Sequence, residues 1–119
     1  MEITADFLEG ALQALKEEII ASLHVAMPGI VQAYDAGRRT AVVQPAIRRK
    51  NAEGKVVTAP VLQDVPVFVC GADREVAAGD ACLLIFADFC IDGWFETGQP
   101  VVPMTPRSHD LSDAFAIVR

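Results

Sequence analysis

Within four positions near the end of the chain stand His109, Asp110 and Ser112, the residue types of a base, an orienting acid and a nucleophile. A working triad needs a histidine bridging the other two through its two ring nitrogens, with members converging from separate elements beside an oxyanion hole. Neighbours in one loop do not converge that way, and Ser112 has no GxSxG turn around it. The reading here is turn-making, with Asp110, Ser112 and Asp113 accepting from nearby backbone N–H groups. A second acidic set, Asp88, Asp92 and Glu96 in "DFCIDGWFETG", has the residue types of a glycosidase pair or a calcium loop. The first needs a long cleft with carboxylates facing across it, and the second needs oxygen ligands at denser alternation. The segment reads instead as a packed loop whose Trp94 and Phe95 plug one end of a barrel.

The three cysteines, Cys70, Cys82 and Cys90, form no CxxC pair and are odd in number. With His109 they match no common zinc spacing, so they read as buried structural thiols. Basic residues form two clusters, Arg38 and Arg39, then Arg48, Arg49 and Lys50. On one extended strand, ten residues would separate them by roughly 30 Å. No aromatic residue lies between them to stack bases. They therefore read as solvated strand ends or as contacts to acidic neighbours in an assembly. No catalytic residue, metal or cofactor is expected.

These residues have to be positioned by a chain of 119 residues, one domain's worth, with a net charge of −6. That charge opposes duplex binding, which needs a basic face to release counterions. Mean hydropathy is +0.32 and 52% of residues are hydrophobic. A domain this small hides only part of such surface, so some is expected to serve partners. The longest apolar run, "ACLLIFA", is far short of the ~18 residues of a membrane span, and "MEITADFLEG" is acidic where a signal peptide is basic. Synthesis and folding in the cytosol are expected, without membrane insertion by this segment.

Residues 4–24 read as a helix capped by Thr4 and stopped by "MPG" at Met27–Gly29, with Leu8, Leu12, Leu15, Ile19 and Leu23 on one stripe. The stripe would pack on the chain's own barrel or on a second copy; two heptads do not decide between them. Then the period becomes two. "IVQAYD" and "RTAVVQPAIRRK" form a hairpin around "AGR", with positive φ assigned to Gly37 and a bend at Pro45 that lets one strand serve two sheets. "NAEGK" is a turn, Val65–Cys70 a strand reached by a proline-broken approach, "AAGD" a turn into "ACLLIFA", and Ala114–Val118 the last strand. Five short strands without βαβ alternation predict a mainly β protein, a small closed five-stranded antiparallel OB-fold barrel preceded by an α-helix. An SH3-like barrel is the structural alternative. The expected division is 1–28, helix and turn, and 29–119, the barrel.

"AMPGIVQAYDAGRRTAVVQPAIRRK", "LQDVPVFV", "GDACLLIFADFCIDGW" and "RSHDLSDAFAIV" together resemble the N-terminal domain of the central tail-spike proteins of contractile-tailed bacteriophages, the membrane-piercing baseplate spikes. The likeness runs from Met27 onward. It implies an OB-fold domain that forms a homotrimer beneath the tail tube, contacts the tail hub and other baseplate proteins, and passes three chains into a β-helical needle. It implies a virion protein assembled in the host cytoplasm. The His-x-His metal apex of such needles has no counterpart here. On this resemblance Asp113, Phe115 and Ile117 would line the threefold axis as an exit strand with an open edge. The helix stripe would be an oligomer face, and Arg48, Arg49 and Lys50 would make assembly contacts. The rival functions are a single-strand nucleic-acid-binding OB module and a small cell-wall glycan hydrolase.

Overall fold

A computed structural model describes residues 4–71 and 75–119. Helix α1 covers Ala5–Ser22, and the Thr4 hydroxyl accepts from the Phe7 N–H as the sequence predicts for a cap. The strands are β1 (Ala26–Asp35), β2 (Thr40–Pro45), β3 (Arg48–Lys50), β4 (Val56–Thr58), β5 (Leu62–Val69), β6 (Ala81–Phe86) and β7 (Ala114–Val118), with a short helix α2 (Asp92–Thr97) between β6 and β7.

Five strands close a barrel in the order β1-β2-β5-β7-β6, and β3 and β4 form a separate two-stranded sheet. The expected barrel is there, but it is mixed and not wholly antiparallel. β7 runs antiparallel to β6, Cys82 opposite Val118, and parallel to β5, Val67 opposite Ala116. The last strand enters the gap between β5 and β6, which point in opposite directions, so it must be parallel to one of them. Both hydrogen-bonding edges of β7 are therefore filled within the chain, which overturns the expectation of an open edge on Ala114–Val118.

Pro45 bends the chain as predicted: β2 ends there and β3 joins the second sheet. "MPG" does not stop the helix. α1 ends at Ser22, and Met27–Gly29 lie within β1, opposite Leu84, Leu83 and Cys82 of β6. Gly29 is needed there because the barrel interior leaves no room. A Cβ on it would lie 2.7 Å from Val43 Cγ1 and 3.0 Å from Leu84 Cδ1. Gly29→Ala is expected to cost about 1–3 kcal/mol in overpacking, read from the midpoint of a urea unfolding curve. In the β1–β2 turn the left-handed residue is Arg39, φ +53°, not Gly37. Asp35 Oδ1 accepts from the Gly37 and Arg38 N–H groups and so shapes the turn through its side chain. The bulge lies inside β1, where the register shifts between Val31 and Ala33.

The core is the barrel lumen, filled by Val31, Ala41, Val43, Leu62, Val65, Cys82, Leu84, Phe86, Ala114, Ala116 and Val118. Burial raises the pKa of the Cys82 thiol and keeps it a neutral core residue. Cys90 is also buried, but Cys70 is exposed, against the expectation of three buried thiols. α1 buries none of its residues, so the described chain is extended, 65 × 36 × 20 Å, with a radius of gyration of 18.1 Å. A compact chain of this length would have about 13–14 Å.

Candidate functional site

On a barrel strand, alternate side chains face inward and outward. β6 and β7 are apolar on both sides. Cys82, Leu84 and Phe86 fill the lumen with Ala114, Ala116 and Val118, while Leu83, Ile85, Phe115 and Ile117 point out. Register places Leu83 beside Ile117 and Ile85 beside Phe115 on the outer surface, with Phe68 of β5 next to Ile117. On the other flank, exposed Pro28 of β1 pairs with Leu83, and Ile30 lies one step further along. Leu83 is 45% exposed and Phe68 53%. Four adjacent strands thus present a continuous apolar outer face, and neither β6 nor β7 contributes a charged side chain to it.

Trp94 and Phe95 do not plug the barrel. α2 lies against the outer side, where the Trp94 ring meets Phe115 at 5.5 Å and Phe115 meets Phe68 at 5.7 Å. Phe95 lies under the Arg38 guanidinium, 5.6 Å from its ring centroid, while Arg38 pairs with Asp64 at 3.2 Å. The lumen is already full of side chains from five strands, so aromatic residues of a short connection are left to cover the outside. Phe115 and Ile117 are half-buried on this face, whereas Asp113 is fully buried behind it.

Asp113 is the buried anchor of a polar lock that reaches the surface through Arg107 and the exposed Asp92. Arg107 donates through Nε and Nη2 to both carboxylate oxygens of Asp113, each at 3.0 Å, and through Nη2 to Asp92 at 2.9 Å and to Cys90 Sγ at 3.0 Å. The Ile91 N–H donates to Asp113 Oδ1. These bonds raise the pKa of the guanidinium further, first through Asp113 and then Asp92. Ligand atoms of Cys90, Asp92 and Asp113 lie within 4.8 Å of one another, a spacing compatible with a shared cation. Here Arg107 bonds all three and supplies the positive charge itself. Sequence reading missed Arg107, whose only signal was a lone arginine between two acidic segments.

His109 sits in a left-handed conformation, φ +48°. Its Nδ1 faces the His24 carbonyl at 3.1 Å and its Nε2 faces Asp88 at 3.2 Å. Both ring nitrogens are engaged away from Ser112. Asp110 accepts from the Ser112 N–H at 2.8 Å, which lowers the pKa of its carboxyl, and this is the expected turn role. Asp92 and Glu96 do line one cleft of about 500 Å³ with Arg38, Asp64 and Ser112. There Asp92 is tied to Arg107 and Asp64 to Arg38. Arg48, Arg49 and Lys50 are exposed on the β3–β4 hairpin, and Arg49 Nη1 donates to the Ala21 carbonyl in the last turn of α1. Arg38 and Arg39 lie apart from them, in the β1–β2 turn of the barrel. Leu8, Leu12, Leu15 and Ile19 share one exposed side of α1, and exposed Leu23 follows as its C-cap.

A profile of the phage protein Gp138 N-terminal domain matches residues 27–119, the whole barrel and the hairpin. The chain belongs to that family. No curated protein matches it. The match begins one residue into β1, so the Gp138 N-terminal domain is the barrel with its β3–β4 hairpin, and α1 precedes it. The apolar outer face and the Arg107–Asp113 lock both lie inside the Gp138 domain.

Proposed function

We propose that this phage protein domain is a non-enzymatic structural component of a tail baseplate: a trimeric hub of the central spike, joining the tail tube to a cell-puncturing needle. The observation that carries the proposal is the apolar outer face built by Leu83, Ile85, Phe115, Ile117 and Phe68. A strand that is apolar on both sides belongs between two packed layers. In this barrel one layer is the lumen; Trp94 of α2 covers Phe115 on the other side, and sister copies supply the rest of the second layer. The strand order, with the last strand parallel to the third barrel strand, supports an OB-fold. The exit strand keeps its assembly role in this reading, through its outward face and not through an edge.

Membership in a phage protein family supports a place in the virion. The acidic net charge and the dispersed arginines favour protein partners over nucleic acid. His109, Asp110, Asp88 and Asp92 are used in structural bonds, which favours mechanical coupling over glycan hydrolysis. Sedimentation equilibrium tests the proposal. A particle of three 12.8 kDa chains is expected, and a single chain at high concentration would overturn it. Leu83→Lys combined with Ile117→Glu places opposite charges at a cross-strand pair and leaves the lumen untouched. This variant is expected to stay folded and sediment as a monomer.

A further inference from the structure

The fold leaves a second apolar surface open. Leu12, Leu15 and Ile19 of α1 are each more than half exposed, and no α1 residue is buried. Only the root of the helix is tied to the rest of the chain by hydrogen bonds among the described residues. The His24 N–H donates to the His109 carbonyl at 3.3 Å, His109 Nδ1 meets the His24 carbonyl, and Arg49 reaches the Ala21 carbonyl. These bonds fix the root of α1 and draw its last turn toward the β3–β4 hairpin.

We infer that α1 of one copy docks its leucine stripe on the outer β6–β7–β5 face of a second copy, closing three chains head to tail. The inference rests on the trimer proposed above and names what covers its apolar face. Three observations favour this occupant over a bundle of three α1 helices. At about 100° per residue, the side chains from Ala11 to Leu23 span an arc of roughly 120°, which suits a sheet surface better than a narrow two-position seam. The stripe from Leu8 to Leu23 is about 22 Å long, close to the ~17–20 Å of strands with five or six residues. Charge gives the third. α1 bears Asp6, Glu9, Glu17 and Glu18 against Lys16 alone, so three helices side by side would gather like charges. The receiving strands β6 and β7 have none, and the acidic margins of a helix laid on them stay in water. A head-to-tail contact of this kind forms a ring when its rotation closes.

Cysteine cross-linking tests the docking in a Cys70→Ser background, because Cys82 and Cys90 are buried. The pair Leu12→Cys with Ile117→Cys is expected to give covalent dimers and trimers under mild oxidation, and neither single variant is expected to do so. Cross-linking by Leu12→Cys alone would show a helix bundle and overturn the inference while the trimer stands. A trimer by sedimentation whose paired cysteines stay uncoupled would overturn it too. A monomer by sedimentation would remove both the inference and the trimer beneath it. As an independent readout, Leu12→Lys with Ile19→Lys is expected to weaken assembly at least tenfold with the barrel still folded; unchanged assembly would overturn the docking.

Discussion

Arg107→Met is expected to leave the domain at the edge of unfolding. Asp113 has no exposed surface, and Arg107 supplies two of the bonds to its carboxylate. Removing one partner of a buried pair leaves an uncompensated charge, which costs about 3–5 kcal/mol. Domains have only about 5–15 kcal/mol in all. The loss would appear as a large fall in the urea midpoint. It would also loosen the Cys90–Asp92 segment that Arg107 ties to the start of β7, and so the seat of Trp94 on Phe115. Adding Asp113→Leu removes the stranded charge and should recover most of the stability. If Arg107→Met alone unfolds at the wild-type midpoint, the pair is not the lock described here.

The second large effect separates two neighbours in sequence. Leu84→Ala should cost about 2–5 kcal/mol, because Leu84 is fully buried in the lumen and its removal leaves a cavity. Leu83→Ala, one residue away and facing out, should change the unfolding free energy of a monomeric background by no more than about 0.5 kcal/mol. In the assembled form Leu83→Ala should instead weaken association. Equal losses from the two in the monomeric background would mean that the strand's inside and outside are misassigned.

What could be read in the residues was local. Thr4 as a cap, the alternation in "AFAIV", the turn at Asn51–Lys55 and the bend at Pro45 all follow from propensity and periodicity. Asn51 Oδ1 accepts from the Glu53 and Lys55 N–H groups, and Gly54 takes φ +80°, as such a turn requires. "MPG" misled because proline and glycine stop helices, yet here Pro28 faces outward on β1 and Gly29 makes room for Val43 and Leu84. β4, only three residues long, has no period to detect and exists because β3 is opposite it. The parallel β5–β7 pairing and the Arg107 lock join segments whose proximity is created by barrel closure. For the same reason Asp113 read as a turn residue and Trp94 as a plug. The apolar face is not legible in the sequence: every residue of "ACLLIF" and "AFAIV" is apolar, but the segments read only as strands, and their neighbours Phe68 and Pro28 join them only through register.

The position of β7 also bears on how the protein is made. Because it slots between β5 and β6, a nascent chain that has not yet released Ala114–Val118 from the ribosome has two facing strands with unfilled backbone donors and acceptors. The barrel can be sealed only after its C-terminal segment emerges, and until then both rims are open to strand exchange with other newly made copies.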